Sequence, residues 1–279
     1  MSSWDHVGHI SPLELIDARL EAHHAAQWLA RSTRAYSTPV ADDSHTSLVW
    51  DSSTAALMTQ AITPNFALGL RLHPMALVAQ LPNGNESFNL FGRTEKDVGK
   101  WMSELLSAHK LDPSQLDTPG PYSLPKHPLD SGLTYGLANK ESFEELGRYF
   151  ANASDLLETV RRTQPTASPV RCWPHHFDIA TLISLDKDGG EHARSIGVGM
   201  SPGDDIFPEP YFYISPWPYP SQADLPPMPE PAFWYREGFT AVILKSSDLT
   251  AIKDGKQQQD RITLILENAI QVNLDLLHR

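Results

Sequence analysis

The chain of 279 residues contains a single cysteine, Cys172. One cysteine excludes any disulfide framework within the chain, and a reducing cytoplasm is the expected setting. Long apolar runs are absent too. No stretch of about 18 apolar residues occurs, so no membrane-spanning helix is expected. The opening residues, MSSWDHVGHISPLEL, have no basic stretch followed by an apolar one and do not read as a secretory signal. Basic clusters are missing as well. The formal net charge is −12, which argues against nucleic acid or an anionic membrane as a partner.

Several short motifs are also lacking. There is no G-x-x-x-x-G-K-[ST] phosphate loop, no H-E-x-x-H metal helix, no paired-cysteine metal motif and no G-x-S-x-G nucleophile turn. What remains is a chain with 41% hydrophobic residues, enough for one large domain or two small ones.

Periodicity gives the organisation. Ser11 to about Ala35 predicts a helix, with Ser11 as N-cap, Pro12 in the first helical position and Glu14 three residues past the cap. Leu13, Ile16, Leu20 and Trp28 fall roughly on one face of it, with His24 between them. Leu48–Asp51, Ala55–Gln60 and Phe66–Leu72 read as short strands. Met75–Leu81 and Glu86–Phe91 flank Pro82-Asn83-Gly84-Asn85, the best hairpin signal in the chain. A helix follows from Thr94 to about His109, where Thr94 and Asp97 resemble a capping pair.

Leu111–Gly136 is rich in Pro, Ser and Asp and reads as a connection. Asn139–Arg162 is the clearest helix, because Phe143, Leu146, Phe150, Ala153, Leu157 and Val160 repeat at helical spacing. Val170–Leu185 reads as one strand, Asp186–Glu191 as a turn, and Arg194–Met200, Glu209–Trp217 and Phe239–Lys245 as further strands. Asp260–Leu277 closes the pattern as an amphipathic helix. The expected class is α+β, with helices packed on one face of one or two antiparallel sheets. The element order recurs, so residues 1–115 and 138–279 read as two similar halves of a single domain, joined by the Pro-rich connection.

Three segments could carry chemistry. In the first, an unbroken strand from Val170 to Leu185 would put Trp173, His175, Phe177, Ile179 and Ile183 on an apolar face. His176 and Asp178 would share the other face, roughly 7 Å apart from the rise along a strand. An imidazole and a carboxylate together suit a divalent metal or proton transfer. They equally suit a buried pair that satisfies itself. His73, His127, Asp204, Asp205 and Glu209 are the available further ligands, and no spacing selects among them. Cys172 falls on the same predicted side, but neighbouring strand positions give poor attack geometry.

In the second, Ser201-Pro202-Gly203-Asp204-Asp205 follows the strand Ile196-Gly197-Val198-Gly199-Met200. Glycine in a strand admits a close approach by a ligand or another backbone. No helix follows this G-x-G, so it is not a dinucleotide fingerprint. The plain alternative is a tight turn between strands.

The third, Phe207–Tyr235, interleaves nine prolines with nine aromatics. Proline fixes φ and holds neighbouring rings in place. Tyr211, Tyr213, Trp217 and Tyr219 would line a small-molecule pocket, seal a sheet edge, or form a docking surface for another protein.

These segments resemble a bacterial domain family that has no assigned activity. The resemblance rests on Ser168-Pro169-Val170 followed at the family's spacing by Phe177-Asp178-Ile179-Ala180, on the Gly199-Met200-Ser201-Pro202-Gly203 turn, and on the aromatic stretch Phe212–Pro220. It covers roughly residues 66–278. It implies a shared fold and a shared Asp178, and no reaction. The family's histidine falls at Arg171 here, and its Trp-Gly-Ser falls at Pro174-His175-His176.

Two functional expectations follow. In one, the chain binds a small molecule or a divalent metal ion through His176, Asp178, Tyr211, Tyr213, Trp217 and Tyr219, with metal-dependent hydrolysis as the extreme case. In the other, it is a non-catalytic structural or interaction module that uses residues 207–235.

Overall fold

A computed structural model describes residues 4–117, 120–187, 190 and 193–278. In chain order the elements are α1 (Ile16–Tyr36), β1 (Leu48–Asp51), β2 (Ala56–Thr59), β3 (Ala67–Arg71), β4 (Ala76–Leu81), β5 (Gly84–Asn89), α2 (Glu95–Ala108), α3 (Lys140–Thr163), β6 (Arg171–Trp173), β7 (Asp178–Ser184), β8 (Ser195–Ser201), β9 (Tyr211–Trp217), β10 (Phe233–Tyr235), β11 (Ala241–Lys245), α4 (Ser246–Thr250) and α5 (Gly255–Leu277). Short 3-10 turns occur at Pro12–Leu15, Ser44–Thr46, Pro113–Asp117, Pro128–Ser131 and Gln222–Asp224. The strands pair antiparallel, and the class is α+β.

The chain divides into two compact units. One is assembled from three separate stretches, residues 1–13, 148–171 and 178–279, and is called the split unit below. The other, the inserted unit, takes residues 14–147 and 172–177.

The inserted unit carries the strand order β6-β1-β2-β3-β4-β5. Leu68, Leu70 and Leu72 alternate into its core as their period-two spacing requires. The β4–β5 hairpin closes with Leu81 opposite Gly84, and Gly84 adopts a φ of +124° that a side chain would resist. Thr94 and Asp97 form a reciprocal capping box at the start of α2, and Val98, Met102 and Leu105 are its buried stripe.

The start of α1 differs from expectation. Pro12–Leu15 forms a 3-10 turn, and the helix begins at Ile16 after a Leu15 that offers no side-chain cap. Its burial differs too. Every residue from Glu21 to Ala30 is buried, while Leu13 stays 56% exposed. A helix enclosed on nearly all sides shows no single apolar stripe, and its polar residues must find internal partners. Glu21 does so by accepting the backbone amides of Gly136 (2.5 Å) and Ala138 (2.8 Å). Trp28 and Tyr135 both donate to the carboxylate of Glu95.

The split unit carries the order β10-β11-β9-β8-β7. Ile179, Ile183, Ile196, Val198, Phe212, Ile214, Val242 and Leu244 are buried on one side of it, and α5 packs against β8 and β9. Ser168 extends the sheet beside β7. Its amide donates to Leu182 O, its hydroxyl accepts from Leu182 N, and its carbonyl accepts from Thr181 Oγ1.

The predicted strand from Val170 to Leu185 is not continuous. Residues 174–177 form a turn in which the amides of His176 and Phe177 both donate to Trp173 O. Phe177 is fully buried with a φ of +59°, a conformation that costs a non-glycine residue about 1–3 kcal/mol. Of the turn expected at Asp186–Glu191, residues 188, 189 and 191 lie outside the described residues. β10 and α4 have no counterpart in the predicted pattern.

Candidate functional site

The split-unit sheet has two unlike faces. Opposite its buried aliphatic side, burial relaxes. Along β9, Tyr213 and Ser215 are half-buried and Trp217 is exposed, whereas Phe212, Ile214 and Pro216 between them are buried. The strand register sorts the open side into rows. Ala180, Gly199 and Tyr213 are neighbours across three strands, then Leu182, Gly197 and Ser215, then Ser184, Ser195 and Trp217.

The two glycines of β8 do different things. Over Gly199 lies the ring of Tyr213. A Cβ built on Gly199 would stand 2.5 Å from Tyr213 Oη and 2.6 Å from Cζ, closer than a rigid ring allows. The missing side chain is therefore what lets Tyr213 cross β8, where its hydroxyl donates to Asp178 Oδ2 at 2.5 Å. Asp178 precedes Ala180 by two positions, so this bond draws the ring away from the Leu182–Gly197–Ser215 row.

Above Gly197 there is room. A Cβ there would meet nothing nearer than Ser215 O at 3.8 Å and Tyr213 Cε2 at 4.0 Å. Leu182 beside it is 45% exposed and Trp217 beyond it 40%. The row is open above Gly197, with the exposed Leu182 on one side of it and the half-buried Ser215 on the other. The Cα atoms of Tyr213 and Trp217 bound it at roughly 13 Å, from the rise along a strand. Tyr219 packs edge-on against Trp217, with ring centroids 5.2 Å apart.

Tyr211 has a different fate. It is 6% exposed and forms a small cluster with Ala241 and Ile243, against which Phe207, Tyr235 and Phe239 pack. Its hydroxyl donates to Asp204 Oδ2 at 2.6 Å. Asp204 Oδ1 also accepts the amides of Ile206 and Phe207, which closes the turn after Gly203. Burial first, then the bond to Asp204, raises the Tyr211 pKa well above the ordinary tyrosine range. This tyrosine seals the sheet rather than facing solvent.

Of the six residues singled out from sequence, Asp178 and Tyr213 are joined directly and Tyr211 lies next to Tyr213, with centroids 6.3 Å apart. Trp217 and Tyr219 form their own ring pair. His176 belongs to the inserted unit, exposed in the 174–177 turn with its ring 4.4 Å from that of His175. With the strand interrupted, period-two spacing no longer assigns His176 and Asp178 to a common face. Among the described residues, no group of three or more His, Cys, Asp or Glu side chains is placed to hold a metal ion.

The inserted unit also holds buried histidines, among them His23 and His24, to which the sequence assigned no role, and His127, named there as a possible further metal ligand. His23 Nε2 donates to Pro174 O at 2.8 Å, and its ring stacks on Phe177 with centroids 5.3 Å apart and planes 8° from parallel. Gln27 donates to the same carbonyl and accepts from Tyr122 Oη. Burial is the main cause that lowers the His23 pKa to about 4. His24 and His127 lie 5.5 Å apart, and burial followed by the nearby His24 lowers the pKa of His127. For His23 and His24 the signal in the sequence was compositional, namely imidazoles set among the apolar positions of a helix.

No family model, curated protein or solved structure matches this chain.

Proposed function

We propose that the chain binds a small, ring-bearing molecule in the trough over Gly197. The observation that carries this reading is the contrast between the two glycines of β8. The space over Gly199 is filled by a tyrosine held by Asp178, while the space over Gly197 is open between Tyr213 and the exposed Trp217. Aromatic walls over a bare backbone floor suit a flat or cyclic ligand that is neutral or cationic. Asp178 acts indirectly, by holding Tyr213. On this reading the helices of the split unit cover the opposite face, Tyr211 is structural, and the protein works in the cytoplasm without nucleic acid. No helix is long and apolar enough to cross a membrane among the described residues.

The test is an amide-resolved NMR titration with a fragment set of aromatic and sugar-like rings. Shifts confined to Gly197, Ser215, Trp217 and Leu182, and lost in Gly197→Val, support the trough. Shifts elsewhere, or none, reject it.

The exposure of Trp217, Tyr219 and Phe233 favours a second reading, in which residues 207–235 contact another protein chain. In that case Trp217→Ala would abolish a pull-down interaction while Gly197→Val would not.

A further inference from the structure

A separate groove lies on the inserted unit's sheet. It has a volume of about 260 Å³ and is bordered by Thr54, Met58, Arg71, Val78, Gln80, Asn85, Glu86 and Ser87. Met58, Gly69, Val78 and Ser87 are neighbours across four strands. They give the groove an apolar middle and a polar rim. Gly69 is covered by its neighbours, since a Cβ there would stand 2.2 Å from Met58 Sδ and 2.8 Å from Val78 Cγ2. A thioether side chain is the adaptable kind of wall, free to re-seat around a ligand.

The cation in this groove is Arg71. Its Nε donates to Pro74 O at 3.2 Å, and its terminal nitrogens have no hydrogen-bond or ion-pair partner among the described residues. Two carboxylates lie near in sequence or space, and neither answers it. Asp51 is engaged by the Ser53 and Thr54 hydroxyls. Glu86 borders the groove and is exposed, and no ion pair joins it to Arg71 among the described residues. A chain of net charge −12 thus sets a guanidinium whose terminal N–H donors are unengaged beside half-buried Met58 and Val78.

We propose that this groove is a binding site for a small amphiphilic carboxylate. Arg71 receives the anionic head through its planar pair of N–H donors, and Met58 and Val78 receive the apolar body. The volume lies below the range typical of drug-sized ligand pockets, which favours a short alkyl or aryl acid.

The test is calorimetric titration of the intact protein with octanoate and, separately, with octylammonium. Octanoate should bind at least about tenfold more tightly, and Arg71→Gln should erase that difference by weakening octanoate about tenfold. Arg162→Gln, an equal charge change on an exposed face of α3, should leave octanoate affinity unaltered. If Arg71→Gln fails to fold by circular dichroism, Ser87→Glu reads the same loss by placing a negative charge on the rim. Absence of octanoate binding, equal affinity for the two probes, or equal effects of Arg71→Gln and Arg162→Gln would overturn the proposal.

Discussion

Tyr213 donates its phenolic proton to Asp178 across the bare backbone of Gly199. The bond spans three strands' worth of sheet with one side chain, and it exists because the middle strand contributes no Cβ there. Asp178→Asn and Tyr213→Phe should each lower stability by about 1–3 kcal/mol. Because they remove the same bond, the double variant should lose less than the sum. Urea unfolding of all four proteins measures this, and strictly additive losses would show that the two side chains do not act together.

The two glycines of β8 should respond oppositely to alanine. Gly199→Ala forces the Tyr213 ring aside and should cost about 1–3 kcal/mol, the usual range for overpacking. Gly197→Ala meets only ordinary contact distances. It should shift stability by less than about 0.5 kcal/mol, as surface changes do, while diminishing any ligand-induced NMR shift in the trough. Equal melting temperatures for the two variants would contradict the geometry.

Acid should weaken the inserted unit through His23. The folded pKa, about 4, lies below the value near 6.5 expected in an unfolded chain. The unfolded state therefore takes up the proton first, so this group's contribution is intact above about pH 6.5 and is lost as pH falls towards 4. The full loss is about 3 kcal/mol, and His127 titrates in the same direction. His23→Gln, which keeps a donor for Pro174 O, should flatten the fall of melting temperature over that window. An unchanged slope would remove His23 as its source.

Glu21 should prove indispensable. It has no solvent exposure and accepts two backbone amides. Glu21→Ala leaves those donors unmet and should cost about 2–5 kcal/mol, measured by chemical denaturation. A loss below about 1 kcal/mol would mean that water replaces the carboxylate without difficulty.

Much of the fold could be read from local chemistry. The Thr94–Asp97 box and the α3 stripe are each decided by residues within a few positions of one another, and each stands where the sequence puts it; the hairpin expected about Pro82–Asn85 forms too, with its second strand starting earlier, at Gly84. The break at residues 174–177 is another matter. Its only turn-forming residue is Pro174, and the left-handed residue is a phenylalanine held there by its buried surroundings, His23 among them. Nothing within the segment announces that, so the proposed His176–Asp178 pairing inherited a strand that does not exist. The start of α1 misled for a related reason, because burial on all sides overrides the cap and stripe signals of a surface helix. At the candidate site the sequence supplied the ingredients (G-x-G, Asp178, Tyr213, Trp217) but not their assignment. That one glycine is filled and the other open depends on which way a single tyrosine leans.

Gln258 in α5 holds residues near the beginning of the chain. Its side chain accepts from Val7 N and Trp4 Nε1 and donates to the carbonyls of Val7, Leu249 and Ile252. During synthesis, then, the first strip of the split unit emerges some 250 residues before the glutamine that receives it. The inserted unit is wholly available to organise itself during that wait, whereas its companion can close only once Gln258 has been translated. A ribosome-stalled nascent chain ending before Gln258 should accordingly display a protease-resistant inserted unit and an unprotected Trp4–Val7 strip.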